Sequence, residues 1–258
     1  MLKDIPARHE ALCILSRAVR SSPFFTAVGR YSKASSSAFS ASAREKSLEA
    51  VEIYASSACV IASKPVSAVM EGGAVNVDDV VETANHFKCI DLVIEQARQP
   101  VSESFIKLLH RTLKSGTSDS RKSWFAVGEY KKLPNEVGGR ETTAPEDVAK
   151  DVRQLLESYN LQKEKCFEEI IAFHVAFERI HPFQDGNGRV GRLILFKECL
   201  RNDIVPFIID EDLKMFYYRG LHEWSSEQGY LLDTCRAAQD KFKKYLDYFR
   251  IAYRNDEE

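Results

Sequence analysis

The chain has 258 residues, 44% of them apolar, and its 36 basic side chains nearly balance 38 acidic ones. This is enough apolar material for one large domain, or one domain with an appendage, and the balanced charge excludes a general pull towards nucleic acid or an anionic membrane surface. Six scattered cysteines, with no C-x-x-C pair and no histidine cluster at zinc spacing, argue against a disulfide framework or a zinc site and for free thiols in a reducing cytoplasm.

Residues 1–44 differ from the rest. No acid occurs between Ala11 and Arg44, while Arg17, Arg20, Arg30, Lys33 and Arg44 are basic and serine is abundant. Such a stretch reads as an extension without a core of its own or, alternatively, as a targeting peptide. Asp4 and Glu10 and the lack of a clean apolar stretch speak against a secretory signal. No apolar run approaches the ~18 residues of a membrane span.

From Arg44 onward the pattern is mostly helical. Leu48, Val51, Ala55, Ala58 and Ala62 recur at three and four. Pro65 opens a short helix, 65–72, that ends at Glu71-Gly72-Gly73. Asp78 is expected to cap the next helix, with Val80, Val81, Ala84 and Phe87 on one face. The spacing of Phe105, Leu108, Leu109 and Leu113 predicts a helix over 102–114. Gly128, Pro134, Gly138 and Gly139 punctuate short β-prone pieces and predict a small hairpin over 124–139. Thr143-x-x-Glu146, with Pro145 between, predicts a capping box that starts a helix carrying Val148, Val152, Leu155, Leu156 and Tyr159. A helix over 163–180 aligns Phe167, Ile170, Ile171, His174 and Phe177. Leu193-Ile194-Leu195-Phe196 is apolar all round and belongs at the centre of a core. Two more helices fit 212–224 and 231–249. With no repeat and no βαβ alternation, the expected fold is all-α with one hairpin. It divides into the extension 1–44, N-terminal helices 45–100, a main domain 101–250 and an acidic tail 251–258.

The chemistry concentrates in 181–192, His-Pro-Phe-Gln-Asp-Gly-Asn-Gly-Arg-Val-Gly-Arg. Pro182 ends the preceding helix by disfavouring helical geometry at His181. Gly186 and Gly188 flank Asn187 where the next helix starts, leaving backbone N–H groups free for an anion. Arg189 and Arg192 share a face of the first turn. Cations there oppose the helix dipole at a cost of about 0.3–1 kcal/mol each, which a bound polyphosphate would offset. Asp185 offers a hard oxygen to a divalent cation, and His181 can take a proton near neutral pH. Together these groups suit phosphoryl or nucleotidyl transfer. The competing reading is a tight turn with solvated arginines. Gly186-x-Gly188-x-x-Gly191 also matches the dinucleotide fingerprint, but a helix precedes it where that fingerprint needs a strand.

These twelve residues resemble the signature of the Fic family at every fixed position, and the likeness extends over roughly 102–249 and more loosely back to Pro65. The resemblance implies an all-α Fic fold and a Mg-ATP-dependent protein adenylyltransferase. It implies that His181 deprotonates the incoming hydroxyl, Phe183 anchors the loop and Asp185 holds Mg2+. Gly186, Asn187 and Gly188 would form the anion nest, Arg189 would support the phosphates and Arg192 would orient the γ-phosphate. The hairpin is similar to the family's flap, which aligns a target protein by strand pairing, with Asn135, Glu136, Val137 and Gly138 bordering the nucleotide. Tyr217 and Tyr218 resemble a pair near the adenosine. Ser225 stands where relatives often have asparagine, and Lys131 where the flap commonly has arginine. Ser67-x-x-x-Glu71-Gly72 resembles the family's inhibitory motif, which makes Glu71 a brake; a surface glutamate before a turn is the plainer reading. Self-modification and a homo-oligomer are compatible with this, whereas a nucleic-acid or membrane partner is not expected. De-AMPylation, transfer of another phosphate-containing group on the same fold, and a non-catalytic helical module stay open as alternatives.

Overall fold

A computed structural model describes residues 77–248 and Tyr253. The motif at 67–72 with Glu71, and the helices expected before it, lie outside the described residues. Those described form seven α-helices and one two-stranded sheet: α1 (Val77–Glu95), α2 (Glu103–Lys114), β1 (Glu136–Val137), β2 (Arg140–Glu141), α3 (Val148–Asn160), α4 (Phe167–Ile180), α5 (Asn187–Arg201), α6 (Glu211–Glu223) and α7 (Gly229–Tyr248). The expected all-α fold with one hairpin is present. None of these helices is long and apolar enough to cross a membrane.

α5 is the shared wall of two cores, which is why its apolar residues surround it. Val190, Leu193 and Ile194 pack with α1, α2, α3 and Phe177 of α4. Leu195 and Cys199 face the second core, with Ile170, Ile171 and Val175 of α4 and Tyr217, Leu231 and Phe242 of α6 and α7. Burying each large side chain contributes about 1.5–3 kcal/mol. A fully buried ion pair, Lys197 to Glu198 at 3.0 Å, ties this helix to α3 because Glu198 also accepts from the Tyr159 hydroxyl at 3.0 Å.

Gly191 lets α4 and α5 approach. A Cβ there would lie 3.1 Å from His174 Cε1 and 3.2 Å from Phe177 Cδ1, and would collide with Glu178 Oε1. Gly191→Ala is therefore expected to destabilise the domain by about 1–3 kcal/mol through overpacking. Chemical denaturation would register this as a lower midpoint with an unchanged slope.

Three local expectations are corrected. Asp78 does not cap α1; it lies in the first turn, where its carboxylate accepts from the Ser118 amide at 2.8 Å and from the Ser118 hydroxyl. The Thr143–Glu146 capping box does not form. Residues 145–147 make a turn, α3 starts at Val148, and the Thr143 hydroxyl donates to Asp151 at 3.0 Å. The hairpin is shorter and later than 124–139. Gly138 and Gly139, at φ 58° and 74°, are its two-residue turn rather than its end, so Glu136 pairs with Glu141 and Val137 with Arg140.

Candidate active site

His181 ends α4 in the left-handed region, φ 51° and ψ 61°, with its N–H bonded to Phe177 O at 3.0 Å. A side chain larger than glycine pays about 1–2 kcal/mol for this geometry. The conformation turns the chain into the loop, and Pro182 bars any further helical turn. His181 Nδ1 lies 3.2 Å from Glu178 O. A carbonyl can only accept, so Nδ1 carries the proton and Nε2 keeps its lone pair. Burial, opposed by the bond to Glu178 O, holds the imidazole below its ordinary value, with Lys131 adding a smaller push in the same direction. The ring is thus neutral at pH 7.

The loop after it is braced from inside. Asn187 is buried; its Oδ1 accepts from Phe183 N–H and its Nδ2 donates to Phe183 O, both at 2.7 Å. The Asn187 side chain is thereby spent on the loop, and its amide is what remains for an anion. Phe183 is fully buried and stacks on His110 at 3.9 Å with rings 3° from parallel. Gly128 N–H donates to His110 Nδ1 at 2.9 Å, which leaves Nε2–H to donate to Asp185 O at 3.1 Å. Burial pushes His110 down to about 4, so this bracket stays neutral.

Gly186 precedes α5 at φ 84°, and its carbonyl accepts from Val190 N–H at 3.0 Å. The amides of Asn187, Gly188 and Arg189 come before that first helical bond, and among the described residues none of them meets a backbone acceptor. Arg192 lies beneath Gly188, whose Cβ would sit 3.2 Å from Arg192 Nη1. Arg192 Nε is buried with no hydrogen-bond partner among the described residues, and the guanidinium lies 5.9 Å from the Tyr217 ring centroid. Amides and guanidinium together make an anion cradle.

Asp185 is half-exposed, and its Oδ2 accepts from Lys114 Nζ at 2.7 Å and Arg189 Nη2 at 3.0 Å. Lys114, at the end of α2, is buried to 2% and also meets Asp119 at 3.2 Å and Glu82 of α1. Glu82 in turn holds Arg189, whose guanidinium burial lowers to about 10. No group of three or more His, Cys, Asp or Glu among the described residues could hold a metal unaided. The half-exposed Asp185 carboxylate, whose Oδ1 takes no part in these ion pairs, nonetheless fits a magnesium ion shared with phosphates, because Mg2+ commonly takes only one or two protein carboxylates.

The segment leading into the hairpin is tied to this loop. Lys131 N–H donates to Pro182 O at 2.9 Å, Leu133 N–H to Gln184 Oε1 at 3.2 Å, and Asn135 Nδ2 to Phe183 O at 3.0 Å. Buried Lys131 donates to Asn135 Oδ1 at 2.6 Å and Thr142 Oγ1 at 2.5 Å. Glu136, Val137, Gly138 and the facing strand are exposed beside it. Tyr217 and Tyr218 part company: Tyr217 is 1% exposed and shares a 2.6 Å hydrogen bond with His174, whereas Tyr218 is 48% exposed. Ser225 accepts from Arg179 at 2.6 Å. His181, Asp185, the 186–188 turn, Arg189, Arg192 and Asn135 therefore form one locus, with Tyr217 enclosed behind it.

Residues 100–198 match the model of the Fic/DOC family. They form a Fic/DOC domain. Over 166 residues the chain is 26% identical to a protein adenylyltransferase Fic of Drosophila grimshawi, a match covering 61% of this chain and 34% of that protein. Over 138 residues it is 29% identical to a probable protein adenylyltransferase of Aquifex aeolicus (strain VF5), covering 49% and 40%. The chain thus spans about a third of the length of the Drosophila relative. Two solved structures share the fold. A Fic domain-containing signaling protein from Bacteroides thetaiotaomicron superposes with a TM-score of 0.59 at 23% identity, over 94% of this chain and 91% of that one. Fic-1 from C. elegans gives 0.61 at 14%, over 95% and 73%. Lys114 and His110 of the Fic domain, and Glu82 of the helix before it, do not stand out in the sequence. The one signal for them is the i, i+4 spacing of His110 and Lys114 on the face that also carries Ile106 and Leu113.

Proposed function

We propose that this Fic domain transfers AMP from ATP to a hydroxyl side chain of a protein, with His181 as general base. The observation that carries the reading is the orientation of His181. Its Nδ1–H is engaged by Glu178 O, so the neutral ring keeps its basic Nε2 free to accept a proton. In the reaction the hydroxyl proton passes to Nε2. The oxygen lone pair bonds the α-phosphorus, and the bond from that phosphorus to the bridging oxygen breaks, its electrons leaving with pyrophosphate. The 187–189 amides and Arg192 stabilise the phosphate charge, and the exposed edge at Glu136–Val137 aligns the target by strand addition. Curated relatives named protein adenylyltransferase support this reading.

Magnesium would be held by Asp185 and, when bound, would neutralise charge on the α- and β-phosphates as pyrophosphate leaves. Asp185→Ala is expected to lower transfer by about 10²-fold or more while ATP affinity falls far less, since Arg192 and the amides remain. Transfer rates beside equilibrium dialysis with labelled ATP separate the two effects; full activity in excess EDTA would contradict the role.

We further propose that Glu71 restrains the domain by pairing with Arg192, and that the target is another protein or a second copy of this chain. A reducing compartment such as the cytoplasm would suit Cys89, Cys166 and Cys235, which form no disulfide among the described residues.

A further inference from the structure

Glu178, an enclosed acid beside the base, takes no part in the transfer step described above. It lies one helical turn before His181, and its side chain is 13% exposed. Its Oε2 is 3.9 Å from His181 Nδ1 and its Oε1 is 3.9 Å from His174 Nε2, while Oε1 is buried with no hydrogen-bond partner among the described residues. His174 in turn bonds the Tyr217 hydroxyl. An acid placed so is costly unless it serves a nearby charge. Space is reserved for it as well, because any side chain at Gly191 would strike Oε1.

We propose that Glu178 is a positioning residue for His181, its carboxylate lying beside Nδ1–H and balancing the charge of the imidazolium. The inference rests on His181 acting as the base. When Nε2 takes the hydroxyl proton, the ring gains a positive charge in a buried place. The Glu178 main-chain oxygen takes Nδ1–H at 3.2 Å, and its carboxylate lies 3.9 Å from the same nitrogen, near enough to act on the ring through its charge. This is the arrangement by which a third group directs and supports a catalytic base.

The titratable and charged groups facing Glu178 are His174 and His181 on its own helix and the turn that ends it, Arg192 from α5 and Tyr217 from α6. Burial raises the carboxyl to about 7, against the pull of Arg192. Burial also depresses His174, to about 3, so that imidazole stays neutral. Protonation of Glu178 therefore removes its support as pH falls through about 7, above the pH at which His181 itself becomes charged.

Glu178→Gln tests this, with His181→Ala beside it. The expected result for Glu178→Gln is a fall in kcat of about 10–10²-fold with the KM for ATP little changed. Its pH profile should lose the limb near 7 and keep only the lower one due to His181. Thermal melting checks that the isosteric change leaves the fold intact, and partial recovery of kcat in Glu178→Asp would support a role for the charge. If His181→Ala is inactive but Glu178→Gln keeps full kcat and the wild-type profile, the positioning role is overturned. It is overturned equally if Glu178→Gln loses activity only in proportion to lost stability. If His181→Ala transfers AMP normally, the general-base reading itself fails, and this outcome is distinguishable from the other two.

Discussion

His181→Ala is expected to lower AMP transfer by about 10²–10⁴-fold, the usual worth of a positioned proton acceptor, while the domain stays folded and binds ATP. The imidazole donates one hydrogen bond, to Glu178 O, and lies at a helix end rather than in either core. Its loss costs about 0.5–1.5 kcal/mol, since alanine inherits the left-handed strain that histidine already bears. That is too little to unfold a domain with two packed cores. The wild-type rate should also fall as pH drops, because the buried imidazole acts only when neutral and its titration lies below the ordinary 6.5. Steady-state transfer and ATP binding, measured on the same preparation, check both parts. Transfer at the wild-type rate by His181→Ala would contradict the mechanism.

Glu71→Gly is expected to raise self-labelling with AMP about thirty- to several-hundred-fold, corresponding to about 2–4 kcal/mol released from the barrier. Arg192 is the partner proposed for Glu71. Its Nε is buried and meets no acceptor among the described residues, and it lies against Gly188 beside the 187–189 amides. A carboxylate bound there would compete with the γ-phosphate through a charge-assisted, bidentate contact. Arg192→Ala should be inactive whether or not Glu71 is changed, since one arginine serves both states. Quantified incorporation of α-labelled ATP at matched magnesium reads this out, and equal labelling by wild type and Glu71→Gly would return Glu71 to a surface role.

The loop at 181–192 is legible in the sequence because its chemistry is carried by consecutive residues, and helical periodicity places the helices to within a few positions. What escapes is brought in from elsewhere in the chain. Lys114 reads in sequence as a solvated cation at a helix end, yet α1, the turn at Asp119–Arg121 and the loop enclose it with three carboxylates. Glu82 and His110 look like ordinary positions of amphipathic helices until α1 and α2 pack on α5. Thr143 carries a real capping signal, but Asp151 offers its hydroxyl a tertiary partner and the local rule loses. Gly138 and Gly139 punctuate the flap as a hairpin's end would, although two adjacent glycines between short extended pieces mark a two-residue turn.

The most direct test of AMP transfer uses purified Glu71→Gly protein with Mg2+ and ATP labelled either at the α- or at the γ-phosphate, followed by mass spectrometry of the labelled protein. The expected result is stable retention of the α label alone, with a mass gain of one AMP group on a hydroxyl side chain, and neither in a Glu71→Gly, His181→Ala double variant. Retention of the γ label, or no covalent label on this chain or on any protein of an added lysate, would contradict it.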